Sequence, residues 1–231
     1  ERAVRRVNPG AVKSGTLPVL FDPRIGGSLV GHLMGAIGGS MIARKTSFLL
    51  DALGEALFDS AISVIDDPLR RRGLASRPFD GEGLSSSRRE LIADGILTGW
   101  VLDLRSARQL GLPPTGNGSR GLSSPPGPST SNLHLKPGQL SPEEMIGSLK
   151  QGLYITDLIG NSVNLVTGDY SRGASGFWIE NGELAFPVSE ITIAGNLGDM
   201  FTTLEPANDL IFKSSTNAPA CRVEGLTIAG T

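Results

Sequence analysis

The stretch Gly176-Phe-Trp-Ile-Glu-Asn-Gly-Glu-Leu-Ala-Phe-Pro-Val188 decides the fold class of this sequence. It contains two short apolar runs, Gly176–Ile179 and Leu184–Val188, on either side of the dipeptide Asn181-Gly182. An Asn-Gly pair between such runs is the strongest short-range signal for a two-residue turn between antiparallel strands. The stretch therefore predicts a β-hairpin and indicates a chain built mainly from antiparallel strands.

A second turn of the same kind lies earlier in the chain, where Asp94-Gly95 separates Arg88–Ala93 from Ile96–Leu102. Other short apolar runs that are bounded by turn-forming residues also predict strands. They are Pro18–Asp22, Ile62–Ile65, Leu153–Leu158, Val163–Val166, Ile191–Ala194, Leu210–Lys213 and Val223–Ala229. Strands and helices do not alternate regularly, which argues against a Rossmann-type parallel sheet.

The segment Gly26–Gly39 predicts a helix with two contrasting faces. One stripe of this helix is apolar, at Leu29, Leu33 and Ile37. Another face carries only glycine, at Gly31, Gly35 and Gly39. Glycine inside a helix costs about 1 kcal/mol relative to alanine. Such a face therefore predicts that another backbone packs closely against it.

Shorter helices are predicted at four further places. Ser141-Pro-Glu-Glu144 has the form of a capping box and starts a helix that runs to about Gln151. The other three are a turn at Ser106–Leu110, a helix capped by Asn196 and a leucine-rich helix or helix–strand transition at Ser47–Leu57. Together these elements predict an α+β fold that is predominantly antiparallel β, barrel-like or sandwich-like, with several short helices.

Two polar segments predict long loops. Leu69–Ser87 includes Arg70-Arg71-Arg72, a short basic run that is more typical of a solvated loop than of a nucleic-acid patch. Residues 112–138 carry Pro, Gly, Ser or Thr at most positions and predict a flexible loop. Long loops in compact domains are often functional or mobile. A disordered insertion fits this composition equally well.

The composition excludes several classes of protein. The 231 residues are 39% hydrophobic and 19% charged, and the net charge of −2 gives no basic field for nucleic acid. The single cysteine, Cys221, excludes an intramolecular disulfide and a multi-cysteine metal site, and it fits a reducing compartment. The opening residues Glu1–Arg6 are charged and lack the apolar core of a signal peptide. Ile25–Ile42 is shorter than the roughly 20 apolar residues that span a membrane, so it predicts a buried soluble segment.

Histidine and cysteine, the residue types that zinc prefers as ligands, are scarce. His32 and His134 are the two histidines, and neither lies in a His-Glu-x-x-His pattern. Zinc needs three or four nitrogen, sulfur or oxygen ligands. The sequence gives no support to a zinc site built from both histidines, Cys221 and a carboxylate. It also contains no Gly-x-Ser-x-Gly nucleophile motif and no P-loop.

The most distinctive segment is Thr167–Gly176, which reads Thr-Gly-Asp-Tyr-Ser-Arg-Gly-Ala-Ser-Gly and is predicted to be a loop between two strands. Its exposed backbone groups and the Arg172 guanidinium would hold a peptide main chain. The candidate peptide-binding residues are Asp169, Tyr170, Ser171 and Arg172. A bend in a barrel or sandwich that is stabilised by an Asp–Arg contact is the structural alternative, and the local residues favour it modestly.

The same segment begins a series of motifs that resembles one known family. Gly168–Ala174, Gly176–Glu183 and Phe186–Asn196 look like the PmbA/TldE branch of the TldD/PmbA family. Other stretches agree with it in order along nearly the whole chain. They are Pro18–Pro23, Gly26–His32, Arg44–Asp51, Gly73–Gly83, Asp94–Trp100 and Leu226–Gly230.

The resemblance implies that residues 1–231 form the C-terminal domain of such a protein, without the N-terminal domain of the family. It also implies that the related TldD subunit binds zinc through a His-Glu-x-x-x-His helix and a later Cys. In this sequence the helix positions fall at Gly31, His32 and Ala36, and the Cys position falls near Ser214-Ser215. The resemblance therefore implies no catalytic residue and no metal or other cofactor in this chain, with zinc in the partner subunit.

The resemblance further implies a cytoplasmic chain that pairs with a TldD-type zinc subunit, or with itself in isolation, and helps to process flexible peptides. It implies no membrane and no direct nucleic-acid binding, although the family carries the label of modulator of DNA gyrase. A stand-alone peptidase-like enzyme and a gyrase-modulating binding protein are the alternatives. Members often read Thr-Gly-His where this sequence has Thr115-Gly-Asn117, which argues against a family role for Asn117.

Overall fold

The structure is a computed structural model that describes residues 4–230. Residues 1–3 and 231 lie outside the described residues. They include part of the predicted charged start, Glu1–Arg6, and both ends of the predicted domain, residues 1–231. Within residues 4–230, no helix is both long enough and apolar enough to cross a membrane.

Short helices and mostly antiparallel strands confirm the predicted α+β class. The helices are α1 (Pro23–Ile37), α2 (Gly39–Ala43), α3 (Leu104–Leu110), α4 (Pro142–Gly147) and α5 (Leu197–Thr202). The first seven strands are β1 (Gly15–Phe21), β2 (Val64–Asp66), β3 (Arg89–Ala93), β4 (Ile96–Leu97), β5 (Gly118–Ser119), β6 (Gly127–Pro128) and β7 (Leu133–Leu135). The last six are β8 (Gln151–Val163), β9 (Asp169–Glu180), β10 (Glu183–Asn196), β11 (Glu205–Pro206), β12 (Thr216–Asn217) and β13 (Cys221–Ala229).

The larger sheet closes into a small barrel. Its strand order is β1-β8-β9-β10-β13-β11, and β1 also pairs with β13. The predicted Asn181-Gly182 turn joins β9 to β10, and both of its residues have positive φ angles of 50° and 83°. The pairing of β1 with β8 is parallel, whereas the other pairings in this sheet are antiparallel.

A second sheet with the order β12-β7-β2-β3-β4 lies on the other side of α1. The predicted apolar stripe of α1 is buried, at Leu29, Leu33 and Ile37. Asp22 caps the first turn of α1 through its side chain, and Pro23 occupies the first helical position, where no N–H is required. Gly38 then adopts an extended conformation and ends the helix. The sequence thus fixes both ends of the helix that separates the sheets.

The predicted strand Val163–Val166 is wrong after its first residue, because β8 ends at Val163 and the Val166 N–H donates to the Asn164 side chain at 2.9 Å. Two further predicted elements are wrong because other groups take their backbone hydrogen bonds. Ser47–Leu57 forms turns, since the N–H groups of Gly54 and Leu57 donate to carbonyls of the β3–β4 hairpin at 2.9 Å. Leu210–Lys213 forms no strand, because the Lys213 N–H donates to the Asn217 side chain at 2.8 Å. Both segments therefore lack the predicted regular structure, and each leaves one large apolar side chain exposed, at Leu53 and Ile211.

The predicted glycine face of α1 also differs from the observed packing. A Cβ atom added at Gly31 would meet nothing within 4 Å. Cβ atoms added at Gly35 and at Gly39, which belongs to α2, would lie 2.8 Å from side-chain atoms of Leu165 and Ser106, respectively, rather than against a backbone. The close backbone approach occurs earlier, at Gly26 and Gly27. Added Cβ atoms there would lie 2.8 Å from the Pro219 carbonyl oxygen and 3.2 Å from the Thr216 carbonyl oxygen, respectively.

The predicted loop at residues 112–138 contains the short strands β5, β6 and β7. It is anchored by the buried carboxylate of Asp66 on β2. This carboxylate accepts hydrogen bonds from the Ser131 N–H at 2.8 Å and from the Asn117 side chain at 2.9 Å. The segment thus has regular structure in part, and its flexibility stays a prediction.

Candidate functional site

A cleft beside α1 is the candidate functional site, and we call it the α1 cleft. Its volume is about 310 Å³. Pro23, Arg24 and Gly27 form the α1 side of the cleft. Its other wall is formed by Asp209, Ile211, Lys213, Ser214, Thr216, Asn217 and Ala218. The absence of a side chain at Gly27 allows the Thr216 backbone to come this close to the helix.

The Asn217 side chain shapes the far wall of the cleft. Its Oδ1 accepts the backbone N–H groups of Lys213 and Ser214, and its Nδ2 donates to the Ser214 carbonyl at 2.7 Å. Asn217 is buried, so these bonds are shielded from water. The segment around Ser214 is thereby held as a compact turn against α1.

The three helix positions singled out by the family resemblance have different surroundings. Gly31 is exposed and lies one turn after Gly27, on the same side of α1. Ala36 is fully buried in the core, at 0% exposure. His32 is half-buried, and its ring lies edge-on to the ring of Tyr170 with 5.9 Å between centroids. Therefore only His32 of these three carries a polar side chain, and that side chain points toward the barrel.

His32 and Tyr170 place two unsatisfied polar atoms together. His32 Nε2 and the Tyr170 hydroxyl are both buried, and neither has a hydrogen-bond partner within residues 4–230. Burial, and to a smaller extent the positive charge of Arg172, lower the pKa of His32. Burial also raises the pKa of Tyr170. Both groups are therefore neutral near pH 7.

The side chains present do not fit a zinc ion at this site. Gly31 and Ala36 have no donor atom, and the one imidazole nearby would be a single ligand where three or four are needed. Across the part of the chain that the structure describes, no group of three or more His, Cys, Asp or Glu side chains is placed to hold a metal ion. Cys221 is fully buried, and burial raises the pKa of its thiol.

The predicted peptide-binding residues lie within strand β9, so the prediction of a loop at Thr167–Gly176 was wrong there. Tyr170 and Arg172 share the face toward α1, whereas Asp169 and Ser171 point to the other side, because side chains alternate along a strand. Tyr170 is 1% exposed and Asp169 is exposed, and the latter accepts the Thr167 hydroxyl at 2.6 Å. The structure thus brings two of the four residues to His32 and separates the other two from it.

Strand β8 runs beside α1 and has an open edge. It pairs with β1 only at Leu153–Ile155. From Asp157 to Val163 it pairs with β9 on one side, and no strand among the described residues pairs with its other side. The register shifts after Ile155 and again after Ile159, which leaves Asp157–Ile159 as the regular part of this edge.

A hydrogen-bonded cluster at the start of α1 was not predicted from the sequence. The Asp22 carboxylate accepts bonds from Arg24 Nε at 2.7 Å, from Arg24 Nη2 at 2.9 Å and from the Tyr154 hydroxyl at 2.8 Å. Asp22-Pro23 could have signalled the helix cap. Tyr154 lies on β8, far along the chain, and no local pattern connects it to Asp22.

Comparison with protein families gives a match over nearly the whole chain. A family model described as the PmbA/TldA metallopeptidase C-terminal domain matches residues 14–230. Metalloprotease PmbA of Escherichia coli O157:H7 is 41% identical over 230 residues, which cover 99% of this chain and 49% of that protein. A metalloprotease TldD homolog of Haemophilus influenzae is 29% identical over 198 residues, which cover 84% of this chain and 41% of that protein.

A solved structure has the same fold. TldE from Thermococcus kodakarensis superposes with a TM-score of 0.89 and 28% sequence identity, covering 99% of this chain and 54% of that chain. The chain spans about half the length of the relatives that it matches. The matches confirm the family resemblance drawn from the sequence motifs.

Proposed function

Because the chain belongs to the PmbA/TldD family of metallopeptidases, we propose that it is the subunit without a metal site in a TldD/TldE-type zinc protease complex. In this proposal the chain pairs with a zinc-bearing subunit and helps to hold flexible peptides for cleavage there. A cytoplasmic location, the absence of nucleic-acid binding and the absence of a cofactor in this chain are parts of the same proposal.

The observation that carries the proposal is that α1 and the Ser214 segment lie close to each other. The resemblance puts the family's zinc ligands on this helix and near Ser214, and in the structure the first turns of α1, at Pro23–Gly27, face the Ser214 segment across the α1 cleft. The cleft therefore brings this helix close to the Ser214 segment, whereas Ala36 is buried in the core and His32 lies against Tyr170 of the barrel. Its lining side chains include one carboxylate, that of Asp209, two cationic groups, and hydroxyl, amide and aliphatic groups, but no imidazole or thiolate of the kind that zinc prefers.

Peptide holding is supported by the open edge of β8. An extended peptide adds to a sheet edge through main-chain hydrogen bonds, which are independent of its side chains. The regular stretch Asp157–Ile159 offers such an edge beside α1. Arg172 lies near it, with Nε 3.5 Å from the Ile159 carbonyl oxygen. We assign Arg172 to peptide contact and Tyr170 to support of α1, and Asp169 and Ser171 stay predicted contacts.

The proposal is tested by purifying the protein alone and together with a TldD-type subunit. Zinc is counted per chain, and cleavage of an unfolded peptide is followed with and without a chelator. We expect no bound zinc and no chelator-sensitive cleavage from the protein alone, and both from the complex. Stoichiometric zinc and chelator-sensitive cleavage by the protein alone would refute the proposal in favour of a stand-alone peptidase.

A second measurement addresses the other alternative and the peptide contacts. Capture of DNA gyrase by the protein, without any affinity for a TldD-type subunit, would support a gyrase-modulating binding protein instead. In the complex, Arg172→Ala should weaken peptide cleavage without preventing assembly. Arg105→Ala is the matched control for loss of a positive charge, because Arg105 is an exposed arginine on α3 that does not line the α1 cleft. Equal cleavage by the Arg172 variant and the control would remove Arg172 from the site.

A further inference from the structure

A second pocket lies elsewhere in the fold, and we call it the Arg89 pocket. It has a volume of about 580 Å³, within the range of small-molecule sites, and it shares no lining residue with the α1 cleft. Its walls are mainly apolar and include Leu53, Trp100, Leu112, Pro113 and Pro114. Arg89, the first residue of β3, provides the one charged side chain among the residues that line it.

The Arg89 guanidinium is held at one end and free at the other. Nη1 donates to the Trp100 carbonyl oxygen at 3.1 Å and to Asn117 Oδ1 at 3.3 Å. Within residues 4–230, Nε and Nη2 have no hydrogen-bond acceptor, and no carboxylate forms a salt bridge with the group. Burial lowers the pKa of Arg89, and the charge of Asp66 opposes this effect. A half-buried guanidinium without an anion is costly, so the pocket favours a ligand that brings one.

Asp66 acts on Arg89 through its charge but forms no salt bridge with it among the described residues, and its oxygens accept other donors. Oδ1 accepts the N–H and the hydroxyl of Ser131, at 2.8 and 2.6 Å, and Oδ2 accepts Asn117 Nδ2 at 2.9 Å. The Asn117 amide therefore connects the buried carboxylate to Arg89 and fixes the orientation of the guanidinium. The sequence had given Asn117 no role.

A glycine and two serines lie around the free end of the Arg89 guanidinium, in the wall of the pocket. A Cβ atom added at Gly99 would lie 2.9 Å from Arg89 Nη2, so the glycine leaves the space that the guanidinium occupies. Ser85 and Ser87 also line the pocket, and their hydroxyl groups form no hydrogen bond with any described residue. Two guanidinium donors and two hydroxyl donors thus face a space with apolar walls.

We infer that the Arg89 pocket binds an organic carboxylate with an apolar body. The carboxylate accepts hydrogen bonds from Arg89 Nε and Nη2, a geometry that a guanidinium matches with two parallel donors. The apolar body packs against the walls around Trp100, Pro113 and Pro114. Such a group is either the C-terminus of a peptide with an apolar last residue or a small organic acid.

The test is isothermal titration of the whole protein with three probes. They are N-acetyl-Leu-Phe with a free carboxylate, the same dipeptide as its C-terminal amide, and 3-phenylpropionate. We expect the free acid to bind at least about tenfold more tightly than the amide, since each hydrogen bond to a charged group contributes about 1.5–3 kcal/mol. Tighter binding of the dipeptide acid identifies a peptide C-terminus, and equal or tighter binding of 3-phenylpropionate identifies a small acid. Equal affinity for acid and amide, or binding of neither acid, would overturn the inference.

Matched variants locate the binding site. Arg89→Gln should weaken binding of the acid by about tenfold to a hundredfold, whereas Arg88→Gln should leave it unchanged, because Arg88 is exposed and pairs with Glu90 at 2.9 Å. Leu112→Asp places a negative charge on the pocket wall without entering the core, and it should also weaken binding. Leu122→Asp is its fully exposed control. Full binding by a folded Leu112→Asp protein would exclude this pocket even if the Arg89 variant does not fold.

Discussion

Replacing Asp22 with alanine should lower the free energy of unfolding by about 3 kcal/mol. Asp22 is 7% exposed and stands directly before α1, the helix that lines the candidate site. Its carboxylate accepts the Arg24 N–H at 2.9 Å, both arms of the Arg24 guanidinium and the Tyr154 hydroxyl. The substitution removes all of these bonds and leaves Tyr154 without its acceptor.

The magnitude follows from the surroundings of each bond. Loss of the helix cap costs about 1 kcal/mol. The bond from the half-buried Tyr154 hydroxyl to a charged acceptor contributes about 1.5 kcal/mol. The Arg24 side chain is 39% exposed, so its ion pair adds less than about 1 kcal/mol. The three contributions add up to about 3 kcal/mol of unfolding free energy. Burial of the Asp22 carboxylate does not add to this sum.

Thermal unfolding measures this effect. In a domain of this size, 1 kcal/mol shifts Tm by about 2–4 °C, so Asp22→Ala should lower Tm by about 6–12 °C. Asp22→Asn keeps an acceptor for the helix cap and loses the charge, and it should lower Tm by about half as much. A Tm within about 2 °C of the unmodified protein for Asp22→Ala, or equal losses for both variants, would refute the reasoning.

The pH dependence gives an independent check on Asp22. Burial raises the pKa of its carboxyl group, but the hydrogen bonds from Arg24 and Tyr154 outweigh burial and lower the pKa below the ordinary value of 3.8. A lowered folded-state pKa stabilises the fold above about pH 4, and this contribution is lost as the pH falls through the folded-state value. The stability difference between the unmodified protein and Asp22→Asn should therefore shrink below about pH 4. A difference that stays constant to pH 2 would contradict the assignment.

Three further outcomes follow from buried groups. Tyr170→Phe should leave Tm unchanged or raise it slightly, because the hydroxyl has no partner among the described residues; a loss above about 1 kcal/mol would show that it has one. Stability should fall as the pH drops below about 6.5, because His32 is kept neutral by burial and by Arg172. His32→Gln should reduce that slope in urea unfolding between pH 7 and pH 5, and an unchanged slope would contradict the lowered pKa. Cys221 is fully buried, so it should react with a thiol reagent only after denaturation, and rapid labelling of the native protein would contradict its burial.

The features that the sequence predicted correctly depend on a few neighbouring residues. Asn181-Gly182 and Asp94-Gly95 both form turns with positive φ angles. Ser141 and Glu144 form the predicted capping box, with bonds of 3.1 and 2.7 Å. Asn196 caps α5 through the Gly198 N–H at 2.9 Å. In each case the side chain or φ angle that determines the structure is local, so the pattern is sufficient.

The features that it missed depend on contacts between distant parts of the chain. Closure of the barrel requires β1 to pair with both β8 and β13, and one of these pairings is parallel. The bond from Asn117 to Asp66 joins residues that are 51 positions apart. No local pattern specifies such partners, because the loop between them is free to close in many ways before it folds. For this reason the Arg89 pocket and the cluster around Asp22 became visible only in the structure.

The glycine content of the segment Thr167–Gly176 is compatible with two structures, a loop and a tightly packed strand. Its glycines predicted a loop, yet Gly173 and Gly176 lie in the central strand β9, and Gly168, with a φ angle of 83°, lies just before it. A Cβ atom added at Gly176 would lie 2.8 Å from the Ile155 Cα of the neighbouring strand, and one added at Gly173 would lie 3.4 Å from the Ile159 carbonyl oxygen. Strands of a small barrel coil tightly and approach each other beside register shifts, so Gly176 meets a steric need, whereas a Cβ atom at Gly173 would be in ordinary contact. The alternation that follows places Tyr170 and Arg172 against the site helix. Packing in the barrel therefore explains the glycine at 176, and the alternation of the strand explains why Tyr170 lies against His32 of α1.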